Sequence, residues 1–313
     1  MSSLLHEIEE KSTVITNLKE EIAMTQWRIG PFEVDPMARK YYTGLTDTKQ
    51  FRAFCNMVLV SRTPVCRKFN PEDEIFILLC KLRTGCTHYD LAQRFVVDRS
   101  TISRILAYWI TRVYKSLKII NLWPEQSVID KTMPISFIRS FPQCRVIIDC
   151  TEIEIQQPSN PTAQQMWSHY KNTNTLKALV GITPNGAISF VSDLYGGSTS
   201  DKYLLQNCGV LQQLEENDLV LADRGFSGSF TVDGKTITVV TPPFMDGRAQ
   251  LTHREVLQTR NVAHNRIHVE RAIGRIKTFK YFAKPIDIKL LYEAEEVFYI
   301  CAFLCNAGEP LMS

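Results

Sequence analysis

"RVIIDCTEIEI", residues 145–155, changes character part-way along. Val146, Ile147 and Ile148 make a continuous apolar run, after which Thr151, Ile153 and Ile155 alternate with Glu152 and Glu154. A run followed by alternation fits a central strand covered on both faces. Asp149 stands where the run ends, and a charge there is costly unless it is paired or holds a metal.

Downstream, "LKALVGIT" (176–183) and "AISFVSDLY" (187–195) read as strands joined by the turn Pro184-Asn185-Gly186. "SDKYLLQNCGVLQQL" (200–214) reads as a helix capped by Ser200 or Asp201, and "DLVLADRG" (218–225) as a further strand ending at Asp223. Three consecutive strands, a helix, then a strand beside the first is the order of a ribonuclease H-like core. The fold class is therefore α/β, a mixed sheet flanked by helices, over 144–306. Residues 225–263 read as an insertion containing a hairpin, and 264–279 and 290–306 as helices.

Upstream, residues 71–117 read as three helices. Pro71 with Glu72, Asp73 and Glu74 starts the first, with acids that suit the helix dipole, and Gly85 ends it. Thr87 caps a short second helix; Asp98 or Ser100 caps the third, through Ile102, Ile105, Leu106, Trp109 and Ile110. This is the helix-turn-helix layout, over 71–118, with Arg99, Ser100, Thr101, Ser103 and Arg104 at the front of the recognition helix. A plain trihelical packing module satisfies the same pattern.

Residues 1–26 space Leu4, Ile8, Ile15, Leu18 and Ile22 by threes and fours, interrupted by Lys11. The segment is coiled-coil-like, or an amphipathic helix packing on the body. Residues 27–70 read as a linker with a helix near 47–61.

The 313 residues carry a net charge of +3, too small to argue for nucleic acid, although the basic residues are clustered. Charged content of 22% and apolar content of 44% exclude wholesale disorder. Nine cysteines without a CxxC pair point to reduced thiols rather than a disulfide framework or zinc site. The first residues are acidic where a signal peptide needs positive charge, and no stretch is long enough for a membrane span. A cytosolic or nuclear protein is expected.

Asp149 and Asp223 end neighbouring strands in this topology, and Glu270 lies on a late helix. Three oxygen ligands at one edge suit Mg²⁺ or Mn²⁺, two of which serve phosphodiester chemistry. Each acid alone also has an ordinary structural explanation.

The motifs "IIDCTEIEI" (147–155), "WSHYKNTNTLKALVGITPNGAISFVSDLYGGSTSDK" (167–202), "LVLADRGF" (219–226) and "RIHVERAIGRIK" (266–277) resemble the DDE transposases of the PIF/Harbinger superfamily. The likeness is greatest to the animal branch whose members often carry an N-terminal THAP zinc finger. The resemblance implies Asp149, Asp223 and Glu270 as catalytic, metal-binding triad, with Asp201 a rival ligand or an N-cap. It also implies cleavage at transposon ends and joining to target DNA, with double-stranded DNA and a second copy of the chain as partners. Arg266 and Lys277 share a helix face with Glu270 and would grip phosphates, with Arg271 and Arg275 lining the DNA path. The tyrosine of that signature is replaced by Ala263.

Lys171 and Lys177, near Trp167 and Tyr170, suit a DNA channel or an ordinary surface. Glu152 and Glu154 face the site or solvent. His264 and His268 have helical zinc spacing without a third ligand, so surface or phosphate-contacting histidines are expected. Residues 1–70 hold no Cys and His set for the finger, which leaves end recognition to the helix-turn-helix or to an accessory DNA-binding protein. Beside an active transposase stand two other readings: a domesticated, catalytically silent DNA-binding protein, and a structural subunit that recruits another chain.

Overall fold

The computed structural model describes residues 2–25, 27–59, 64–159, 163–243, 250–308 and 311. Two compact units divide the chain, Met1–Val113 and Tyr114–Ser313.

The first unit is helical: α1 (Ser2–Thr25), α2 (Ile29–Glu33), α3 (Pro36–Thr43), α4 (Thr48–Val58), α5 (Pro71–Thr84), α6 (His88–Phe95) and most of α7 (Arg99–Lys118). Part of the expected 47–61 helix, residues 60–61, lies outside the described residues. The stretch expected to be irregular before it carries α2 and α3, the latter capped by Asp35 with Pro36 at its first position. Gly85 ends α5 with φ of 67°, a left-handed conformation that glycine adopts without strain. Thr87 caps α6, and Asp98 rather than Ser100 caps α7, its carboxylate accepting from Ser100 N at 2.7 Å.

The acids at the start of α5 do more than oppose a dipole. Glu74 is fully buried and accepts from Trp109 Nε1 (2.7 Å), Val65 N (2.9 Å) and Cys66 N (2.6 Å). It thereby ties the recognition helix to the segment before α5. On α1, Ile8, Ile15 and Leu18 are exposed.

The second unit continues with α8 (Gln126–Thr132), α9 (Ile135–Ser140), β1 (Cys144–Glu154), α10 (Ala163–Met166), β2 (Trp167–Ser168), β3 (Thr173–Ile182), β4 (Ile188–Val191), β5 (Tyr195–Gly196) and α11 (Asp201–Asn207). It closes with β6 (Leu219–Leu221), β7 (Ser229–Val232), β8 (Lys235–Val240), α12 (His253–Lys277) and α13 (Leu291–Cys305). The sheet runs β2-β3-β1-β6-β8-β7, with β4 and β5 also on β3. β1 pairs antiparallel with β3 and parallel with β6, so it is the central strand of an α/β ribonuclease H-like core.

Val146, Ile148, Leu179, Val220 and Ala222 pack against Leu204 and Leu205 of α11 on one face of the sheet. On the other side α12 crosses β1 and β3 and packs on α13.

Three expectations change. The strand expected over 187–195 is broken into β4 and β5. The hairpin expected in an insertion joins the sheet, β8 running parallel beside β6. α12 begins at His253, not 264, because Thr252 and Glu255 form a reciprocal capping box.

All nine cysteines are free. Among the described residues no helix is long and apolar enough to cross a membrane.

Candidate active site

Strand alternation decides which face Asp149 takes. Val146, Ile148 and Cys150 pack under α11, so Asp149 projects from the opposite face, toward α12. β6 lies parallel beside β1, with Leu221 opposite Ile147. Asp223 follows two residues after Leu221, so both aspartates leave the same end of adjacent strands.

Arg266 of α12 lies between them. Its Nη2 is 3.8 Å from Asp149 Oδ2 and its Nη1 donates to Asp223 Oδ1 at 3.3 Å. Glu270 sits one turn further along that helix face. Burial pushes the Asp149 carboxyl up to about 6, against the pull of Arg266 and the Cys150 amide, and the charges of Asp223 and Glu270 raise it further. The three acids and Arg266 thus form one electrostatic group.

Among the described residues, no three His, Cys, Asp or Glu are gathered closely enough to cage an ion. Arg266 places a positive charge beside two of the acids, and Asp223 is about half exposed. The donor set nevertheless fits a hard divalent cation. A desolvated carboxylate faces two like charges, and all three offer oxygen.

The expected DNA-contacting cations divide into two groups. Lys277 is partly desolvated, which lowers its proton affinity, as does nearby Lys171; Glu152, Asp149 and Glu154 oppose this. Lys171 is exposed, with its ammonium 5.6 Å from the ring of Tyr170. Arg271 is also exposed, and Arg275 half-buried. Arg266 is only 8% exposed and turns onto the aspartates. Lys177 turns inward as well, its ammonium donating to Thr199 O at 2.9 Å and Asp201 Oδ1 at 3.2 Å.

Asp201 is the first residue of α11, whose cap is Ser200. It lies on the α11 face of the sheet, with Cys150 and Glu152, away from Asp149. Glu152 faces Lys177 and Thr175, whereas Glu154 is exposed. His264 is exposed, but His268, expected to be a surface or phosphate-contacting histidine, is buried among the neighbours of α12. Burial, Arg271 and His264 lower its proton affinity.

In the first unit, Arg99, Ser100 and Arg104 are exposed at the start of α7, while Thr101 and Ser103 are half-buried. Arg104 Nη2 donates to Thr101 Oγ1 at 3.3 Å. Ser103 Oγ is 2.9 Å from His88 Nδ1. His88 carries no local sequence signal; only the turn between α6 and α7 brings it there.

The DDE superfamily endonuclease family matches residues 148–306, half of the chain. The chain belongs to this family. The helix-turn-helix of DDE superfamily endonuclease matches residues 67–119. No curated protein and no solved structure matches it. In this DDE superfamily endonuclease the matched span opens one residue before Asp149 and contains Asp223, Arg266, Glu270 and Lys277.

Proposed function

We propose that this chain is a divalent-metal-dependent DNA endonuclease of the transposase type, PIF/Harbinger-like, acting in the nucleus on transposon ends and target DNA. One observation carries the reading. Asp149 and Asp223 emerge from adjacent parallel strands, and α12 brings Glu270 into the field of Asp149. Family membership and the helix-turn-helix support it.

Asp149, Asp223 and Glu270 would hold Mg²⁺ or Mn²⁺. When bound, the ions would supply a lowered pKa for the attacking water or 3′-hydroxyl and charge neutralisation at the leaving oxygen. The apolar strand beneath Asp149 excludes water from its inner side. Arg266 holds the two aspartates against their mutual repulsion until that charge is supplied. Lys171 and Lys277 bind backbone phosphates, and Tyr170, 85% exposed, offers a stacking face. Arg99, Ser100 and Arg104 contact the duplex from α7.

The exposed Ile8, Ile15 and Leu18 seam of α1 suits pairing with a second copy in a short coiled coil. A silent, DNA-binding descendant is the second reading. The Arg266 bridge, one cation offsetting part of the charge of the two aspartates, is compatible with it.

The test is Mn²⁺ titration of the full chain and of D149N and E270Q, followed by calorimetry, with cleavage assays on candidate ends. Saturable binding lost in both variants is expected. Identical heats from all three proteins would remove the metal site and leave the DNA-binding reading.

A further inference from the structure

On the face of the sheet away from Asp149 lies a second charged cluster. Lys177 of β3 stands directly opposite Glu152 of β1. Its ammonium donates to Thr199 O at 2.9 Å and Asp201 Oδ1 at 3.2 Å and forms an ion pair with Glu152 Oε1 at 3.5 Å. Two of the three ammonium protons are thus taken by fixed acceptors, and two carboxylates hold its charge. Glu152 is itself held by Thr175 Oγ1, at 3.0 Å from Oε2. Lys177 and Glu152 side chains are 12% and 9% exposed, so water screens that pair poorly, whereas Asp201 is 34% exposed at the rim of the cluster.

The other oxygen of Asp201 faces the turn that carries Asp223. A β-carbon on Gly225 would lie 2.8 Å from Asp201 Oδ2, closer than a non-bonded contact permits. The same turn is anchored by Phe226, fully buried in the cluster under α11, and closed by Phe226 N donating to Asp223 O at 3.0 Å. Glycine is needed at 225 for close approach.

We infer that Lys177 and Asp201 form a brace that positions Asp223, Lys177 pinning the Asp201 carboxylate so that it serves as a fixed stop behind the Asp223-Arg224-Gly225 turn. These two are positioning residues, neither a metal ligand nor a DNA contact. The inference rests on the triad reading for its link to function, but the brace itself is a property of the fold.

The two ideas separate in one set of variants of the full chain: G225A, D201A, D201A/G225A and K177R. Mn²⁺ affinity is read by calorimetry, and hydrogen exchange of the peptide spanning 220–228 is read in chelator. G225A should weaken Mn²⁺ binding about tenfold and speed exchange in that peptide, because a pinned carboxylate cannot step aside. D201A/G225A should be no worse than D201A, since removing the carboxylate removes the clash. K177R should retain most of the wild-type behaviour.

Effects of G225A and D201A that multiply independently would overturn the brace, as would a G225A protein matching wild type in both readouts. Abolition of Mn²⁺ binding by D201A, with slow exchange at 220–228 unchanged, would make Asp201 a ligand instead. If wild type bound no Mn²⁺, the triad reading would fail. The exchange data would then decide the brace alone.

Discussion

Arg266 Nη1 meets Asp223 Oδ1 at 3.3 Å, joining the middle of α12 to the end of β6 across 43 residues of sequence. The same guanidinium lies 3.8 Å from Asp149. One cation therefore offsets two carboxylates that would otherwise repel each other at the end of adjacent strands.

Removing that cation should expose the repulsion. R266Q is expected to cost about 1–3 kcal/mol of stability in chelator, since one partner of a buried charge group is lost. Saturating Mn²⁺ should restore at least half of it, because ligand binding stabilises the folded state. Thermal melts with and without Mn²⁺ measure both. An identical loss in the two conditions would mean that Arg266 and the metal do not share the aspartates.

Asp149 should impose a pH dependence on the metal-free protein. Its folded pKa, about 6, lies above the unfolded carboxyl value of 3.8, so the folded state binds the extra proton between those limits. Stability from this group is present below the unfolded value and lost as pH rises through 6. D149N should therefore gain up to about 3 kcal/mol at pH 7.5 in chelator, with the gain vanishing near pH 4. Denaturation series at the two pH values check the sign. A gain that grows toward acid pH would contradict the buried-carboxyl assignment.

Lys277 and Lys171 should act on DNA through charge alone. K277A and K171A are each expected to lower the dependence of log affinity on log salt by about one unit, irrespective of duplex sequence. Fluorescence anisotropy across a salt series reports the slope. An unchanged slope in both variants would remove this strip from the DNA path.

Glu74 should be decisive for the first unit. E74Q places an amide N–H₂ among three donors and is expected to cost about 2–4 kcal/mol. Chemical denaturation followed by tryptophan fluorescence, sensitive to Trp109, provides the measure. A midpoint equal to wild type would show that the three bonds contribute nothing net.

Local patterning was sufficient for much of the architecture. The apolar run of 146–148 marked the central strand, Gly85 and Thr87 marked helix ends, and Asp149 and Asp223 were legible as acids ending strands. Those features depend on backbone period and on capping, which act within a few residues. The start of α12 was missed: the helix was expected from 264, because the polar, partly exposed turns after the Thr252 and Glu255 capping box carry no apolar stripe to advertise a helix.

Tertiary structure alone decided the partners of the charges. Helical spacing placed Arg266 on the face of Glu270, yet only the passage of α12 over β1 and β3 set it between the two aspartates. Lys177 read as a DNA-channel or ordinary surface lysine until the pairing of β3 with β1 put it opposite Glu152 and beside Asp201. Side-chain direction follows from local geometry, whereas the sign of the charge it meets depends on long-range approach of elements far apart in sequence. That is why the acids could be named from the chain itself, and why Arg266 and Lys177 could be named only as DNA contacts, without the carboxylates they meet.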